Sequence, residues 1–410
     1  MNSVNKEARI MGFALFAMYF GAGNLIFPAA LGNLAGSDWF IGFIGYMLAD
    51  AGLVILTMRA IMKSDRSYET LLAPVGNVLS KILIIAISLC IGPMIAIPRT
   101  AATSYETGFA DLMPLPLYSA LYFLIAIAVC LNSGRLVNIV GKIMTPVLVA
   151  GLLILIAVGI FSPAGPIGVA STDGILGIGV LNGFQTLDGF AAILFSALLL
   201  TDIYRKQYDD RETNRIFTGA AIIAFLGLAL VYGGLTYLGA TSGQLLPNAD
   251  NGTDILSFLV GRLFSGIGMR LLTIVMFFAC MTTTVGLIAS ISEQMHRYLP
   301  RLSYKICVLI IGGAGFLVAN VGLNALIAIA APILLVLYPP VLMLIIHAYA
   351  KRIPCDVIGA RVAFVIALIV ATLLLLVDGL PQWLNGMPVL SYFLVNLPLR
   401  IRQHRINRPS

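Results

Sequence analysis

Apolar stretches long enough to cross a bilayer recur from one end of this chain to the other. They fall at roughly 10–31, 39–62, 78–108, 116–131, 138–161, 176–200, 216–240, 268–293, 304–319, 323–347, 357–377 and 387–401. A helical span needs about 20 apolar residues, so the spacing predicts about twelve spans, the last of them short and carrying Pro388 and Pro398. Hydrophobic residues make up 60% of the chain, charged ones 10%, and the mean hydropathy is +0.98. No soluble core of this size needs so much apolar surface. The expected fold class is an all-α polytopic membrane protein with the lipid bilayer as its solvent. The first apolar run is too long for a signal peptide and lacks a small-residue cleavage site, so it reads as span one.

The net charge of +7 is arranged for a membrane, not for nucleic acid. With the N-terminus inside, 22 of the 25 basic residues fall in cytoplasmic segments, leaving Arg99, Arg262 and Arg270 on the outer half. That bias follows the positive-inside rule and puts both termini in the cytoplasm. Cys90, Cys130, Cys280, Cys307 and Cys355 show no metal-ligand spacing and read as small hydrophobes. The longest outer connection, 241–267, has an apolar second half that reads as a short helix against the outer face.

Span one contains the stretch YFGAGNLIFP, residues 19–28. Two glycines, an asparagine and a proline weaken a helix where no water can satisfy freed backbone groups. Span six carries a second such stretch, NGFQTLDGF, residues 182–190. Span six comes five spans after span one, an odd offset, so the second unit enters the membrane from the opposite side. Interrupted helices at matching places of two inverted five-span units point to a transporter's central site. The units run over about 8–161 and 176–347, with extra helices over about 356–401, all within one transport domain, 1–410. The structural alternative for span one is a glycine kink that only tightens packing.

Unwinding frees amides on one half-helix, which favour anions, and carbonyls on the other, which favour cations. Gly21 and Gly23 allow close backbone approach, Asn24 could cap the second half-helix or offer its oxygen to a ligand, and Pro28 falls near that half-helix's first turns. Asp188 is a carboxylate at a span's centre, where insertion costs roughly 2.5–3.5 kcal/mol. It could face a substrate ammonium, a coupling cation, or a neighbouring amide as a protonated acid. Thr282, Thr283 and Thr284 put three hydroxyls in span eight. Such hydroxyls suit a hard monovalent cation but also bond back to their own helix. Arg99 and Glu106, seven apart in span three, read as an outer gate or as a structural ion pair, and Tyr105 could reach a substrate carboxylate. His296, His347 and His404 sit at cytoplasmic ends, and Asp50 reads as too isolated in span two to form a catalytic dyad. No intramembrane enzyme and no nucleotide-binding loop is expected.

These residues bring a resemblance with them. FALFAMYFGAGNLIFPAALG (13–32) and IGPMIAIPRTAATSYETG (91–108) resemble motifs of the bacterial branched-chain amino acid:cation symporters of the BrnQ type, and the threonine run and Tyr338-Pro339-Pro340 also fit. The resemblance implies uptake of leucine, isoleucine and valine across the bacterial inner membrane, driven by a cation gradient. It implies a LeuT-like fold of five plus five inverted spans and no cofactor. By position it implies a sodium site of the carbonyls of Ala17, Phe20 and Ala279 with the hydroxyls of Thr282 and Thr283. The substrate carboxylate would meet amides at Gly21, Ala22, Gly23 and Asn24. Its ammonium would meet carbonyls near Tyr19, Gln185 and Thr186, with Asp188 adjacent. Proton coupling is the alternative, with Lys142 of span five in the cation's place, although a lysine there also reads as one that snorkels to the cytoplasmic face.

Overall fold

The computed structural model describes residues 3–131, 145–247, 249, 251–350 and 356–377. All its regular structure is helical, as a bilayer demands of a chain that must satisfy its own backbone polar groups. Eleven of the expected spans are present among the described residues, and the twelfth, 387–401, lies outside them. Spans one and six are each two half-helices: Ser3–Tyr19 with Ala22–Ala35, and Ile175–Gln185 with Asp188–Arg205. Spans four, seven and nine run over Leu115–Leu131, Asp210–Ala240 and Tyr304–Ala319. Span five is described from Thr145 to Phe161.

Two further spans depart from plain α-helix. Span two (Trp39–Met47 and Leu53–Lys63) passes through a π-helical turn at Leu48–Gly52. Span three (Asn77–Leu89 and Ala96–Gly108) does the same at Cys90–Met94, where Gly92 leaves the helical region and Pro93 supplies no amide donor. Span eight is longer than expected. Its helix starts at Gly252 and runs unbroken to Tyr298, absorbing the segment expected as a separate short helix. Asn251 starts it by accepting from the amides of Thr253 and Asp254, so the cap lies well before the apolar run.

The described residues form two compact units. The first holds residues 1–55 and 88–327, and with them both broken spans. Its interior is polar where the breaks lie, with Asp50, Arg99, Asp188 and Thr282 all buried, while Leu124 and Leu317 are 68% and 70% exposed. Apolar outside and polar inside is the arrangement that lipid selects. Span one lies against span seven at backbone distance: Gly239 faces the Ala29 carbonyl and Gly32 the Thr236 carbonyl, with no room for a Cβ at either. The second unit, residues 56–87 and 328–410, is held among its described residues by Tyr349 donating to the Leu56 carbonyl at 2.9 Å and Arg361 donating to the Pro74 carbonyl at 2.9 Å.

Candidate functional site

The break in span one falls at Phe20–Gly21, at the head of its glycine-rich stretch, so Ala22, Gly23 and Asn24 form the first turn of the second half-helix. Asn24 turns back to accept from the Gly21 amide at 3.3 Å. Pro28 sits deeper than expected, as the seventh residue of that half-helix. There it withholds the amide that would bond the Asn24 carbonyl. The break in span six falls at Thr186–Leu187, after Asn182 and Gly183, which remain helical. Leu187 adopts a left-handed φ of 73°, and Asp188 opens the second half-helix with its amide donating to Thr186 Oγ1 at 3.3 Å. A carboxyl at a helix N-terminus is favourably placed against the helix dipole.

The two breaks meet. Asn24 Nδ2 donates to Asp188 Oδ2 at 2.7 Å and also to the hydroxyl of Tyr232 on span seven. They wall a small cavity that encloses about 20 Å³ of free space, lined by Gly21 to Asn24, Thr186 to Asp188, Arg99 and Thr283 on its polar sides and by Ile91, Phe195 and Leu287 on its apolar ones. Tyr19 is buried beside the break with its ring edge-on to Phe195, and its hydroxyl has no hydrogen-bond partner among the described residues.

Two hydroxyls of span eight face carbonyls of span one. Thr282 Oγ1 donates to the Ala17 carbonyl at 2.7 Å and lies 2.9 Å from the Ala279 carbonyl. Thr283 Oγ1 donates to the Met18 carbonyl at 2.8 Å. Within the expected sodium set, Thr282 therefore touches both Ala17 and Ala279. Thr283 has reached Met18, and Phe20 lies buried in the break itself. The neutral carbonyl and hydroxyl oxygens gathered here have the chemistry a hard monovalent cation requires. Thr284 faces away, toward Thr100 of span three at 2.5 Å and Tyr122 of span four at 2.8 Å.

Several sequence expectations change. Arg99 is no outer-gate partner of Glu106: its guanidinium reaches inward to the carbonyls of Gln185 and Thr186 at 2.7 and 3.2 Å and lies over the Phe27 ring. Glu106 is exposed two turns further on, with the Leu323 amide as its backbone partner. Residues seven apart share a helix face, but two turns separate them by about 10 Å, more than an ion pair spans. The carbonyls of Gln185 and Thr186, expected to meet a substrate ammonium, are thus already held by Arg99. Tyr105 is absent from the cavity wall and packs against Tyr118 with ring centroids 5.6 Å apart.

Asp50 was missed. Far from isolated, it is fully buried in the π-helical turn of span two, takes a hydrogen bond from Thr186 Oγ1 at 3.2 Å, and lies in hydrogen-bonding reach of Asp188. A second carboxyl in an apolar span was the available signal. Only the partner was hidden. Lys142, the residue on which the proton-coupled alternative rests, lies outside the described residues.

Comparison with known proteins agrees with this architecture. The chain is 40% identical over 386 residues to the branched-chain amino acid transport system 2 carrier protein of Pseudomonas aeruginosa, covering 92% of this chain and 87% of that one. It is 35% identical to the branched-chain amino acid permease BrnQ of Salmonella typhimurium, covering 85% and 81%, and 33% identical to the permease BraB of Bacillus subtilis, covering 96% and 91%. Among solved structures it superimposes on Mhp1, a nucleobase-cation-symport-1 family transporter, with a TM-score of 0.67 at 14% identity, over 97% of this chain and 94% of that one. A Na+-coupled sialic acid symporter gives a TM-score of 0.63 at 15% identity, over 96% and 90%. The fold is thus the LeuT-like one, in a multi-span membrane transporter and not an enzyme. The family described as branched-chain amino acid transport protein matches residues 4–403, and this chain belongs to it.

Proposed function

We propose that the chain imports leucine, isoleucine and valine across a bacterial inner membrane together with Na+, by alternating access, with both termini in the cytoplasm and residues 1–410 working as one transport domain. The observation that carries the ion assignment is the pairing of span-eight hydroxyls with span-one carbonyls, Thr282 with Ala17 and Thr283 with Met18, immediately before the break. A cation placed among these oxygens would tie span eight to span one and fix the half-helix end beside which the substrate docks. The substrate carboxylate would meet the free amides at Ala22 to Asn24. Its ammonium would meet Asp188, and its aliphatic side chain the apolar wall of Ile91, Phe195 and Leu287. The names of the relatives from Pseudomonas, Salmonella and Bacillus support the substrate class. An aliphatic wall separates such side chains poorly, since one methylene is worth only about 1–3 kcal/mol, so all three amino acids are accepted.

The free space of about 20 Å³ is too small for any amino acid. The broken spans must move apart to admit one, which is the motion alternating access requires. Proteoliposomes holding the purified full chain test the reading directly. Leucine uptake is expected to rise with an inward Na+ gradient and to lose that dependence in Thr282→Ala. Uptake equally fast without Na+, following a pH gradient and lost in Lys142→Ala, would transfer the coupling to protons.

A further inference from the structure

The Asp50 carboxyl poses a chemical problem that the proposed transport reaction leaves unsolved. It is 0% exposed, and Thr186 Oγ1 donates to its Oδ1 at 3.2 Å. Around it stand the Thr186 hydroxyl, the Tyr232 hydroxyl and the carboxyl of Asp188. Asp188 in turn is 4% exposed and takes a hydrogen bond from Asn24. Titratable groups face the pair from four spans: Tyr19 of span one, Tyr46 of span two, Tyr232 of span seven and Arg99 of span three. The hydroxyls of Tyr19 and Tyr46 are buried beside the pair.

Two carboxylates within hydrogen-bonding reach and shut away from water do not both ionise. One proton shared between them turns repulsion into a charge-assisted O–H···O⁻ bond. The charge balance then closes. With one proton the pair carries a single negative charge, opposite the single positive charge of Arg99. With the ammonium of an amino acid beside Asp188, and Na+ opposite its carboxylate, neutrality requires both carboxyls to be ionised.

We propose that Asp50 and Asp188 form a proton-holding pair that exchanges its shared proton for the substrate's ammonium group. The proposal rests on the amino acid reading for its second half only. On binding, the O–H bond of the pair breaks, both electrons stay on the carboxylate, and the proton leaves to solvent. Proton and ammonium therefore compete for the pair.

The test uses the purified full chain in lipid nanodiscs with leucine as probe. In weakly buffered Na+ medium, leucine binding is expected to release up to one proton per leucine, and affinity is expected to rise by up to about tenfold per pH unit while the pair remains protonated. Asp50→Asn keeps one charge and no shared proton. It is expected to bind leucine more weakly, to release no proton and to show a flat pH profile. Infrared spectra without leucine are expected to show a protonated carboxyl at neutral pH that Asp50→Asn removes; Asp188→Asn serves if that variant does not fold. Leucine bound without proton release at every pH would overturn the exchange, and so would release unchanged in Asp50→Asn. A spectrum with no protonated carboxyl in the native protein would overturn the pair itself. If leucine fails to bind at any pH while the carboxyl band is present and removed by the variant, the substrate assignment falls and the proton-holding pair stands.

Discussion

Gly21 occupies a position where one methyl group decides the geometry of two sites. A Cβ there would lie 2.7 Å from Thr283 Oγ1, the hydroxyl that bonds the Met18 carbonyl. Gly21→Ala must displace that hydroxyl or reopen the break. It is expected to raise the Na+ concentration for half-maximal leucine uptake by about tenfold or more, which corresponds to about 1.4 kcal/mol of lost cation binding. Gly177→Ala is the control. A Cβ at Gly177 meets nothing within 4 Å and lies inside a helix, so that variant should transport normally and unfold at an equal or slightly higher temperature. Much of this detail was legible from residue type alone. Gly21, Asn24, Asp188, Thr282 and Thr283 are polar or glycine in otherwise apolar spans, and each sits at the cavity or on the span-one carbonyls next to it. The partners of Asp50 and Arg99 were not legible, because both are chosen by contacts between spans far apart in sequence and neither leaves a local pattern.

Among the elements, the half-helices of span six show two effects in opposition. Leu187 holds a left-handed φ of 73°, a conformation that costs a non-glycine residue about 1–2 kcal/mol. Its side chain is 1% exposed, and emptying a buried leucine site costs about 2–5 kcal/mol. Packing wins. Leu187→Gly is therefore expected to destabilise the protein by about 1–3 kcal/mol despite relieving the backbone, read as a fall in the midpoint of thermal unfolding; a rise would mean that strain outweighs packing. The preceding half-helix ends on Arg99, whose two nitrogens each take one of two successive carbonyls. A lysine cannot reproduce that fork, so Arg99→Lys should lower the same midpoint, by an amount equivalent to about 1.5–3 kcal/mol for a charged hydrogen bond. The sequence located spans well, because length and hydropathy are enforced by the bilayer. The π-helical turns of spans two and three were not expected. Gly92 and Pro93 were the available local signal in span three, whereas Leu48–Gly52 contains no proline. The continuity of the helix Gly252–Tyr298 was also hidden, since its first part was expected as a separate short helix and nothing local marks that the two join.

For the whole molecule, the strongest sequence signal that geometry leaves untouched is orientation. A basic residue on a short loop resists translocation, so the side of the membrane that holds 22 of 25 basic residues should be the cytoplasm. The argument is statistical in origin but physical in each loop, and two loops can be tested one at a time. Arg211 is exposed at the start of span seven, next to the cluster in which Lys206 pairs with Glu7 and Asp202. Thr172 is exposed in the connection before span six, on the opposite side if the count of spans is right. Cys90, Cys130, Cys280 and Cys307 are free and buried, and replacing all five native cysteines removes background. In that background Thr172→Cys on intact cells should react with a membrane-impermeant maleimide, while Arg211→Cys should react only after the membrane is opened. Reaction of Arg211→Cys on intact cells would invert the molecule. It would place the half-helix of span one that carries the Ala17 carbonyl, Thr282's partner, on the outer side.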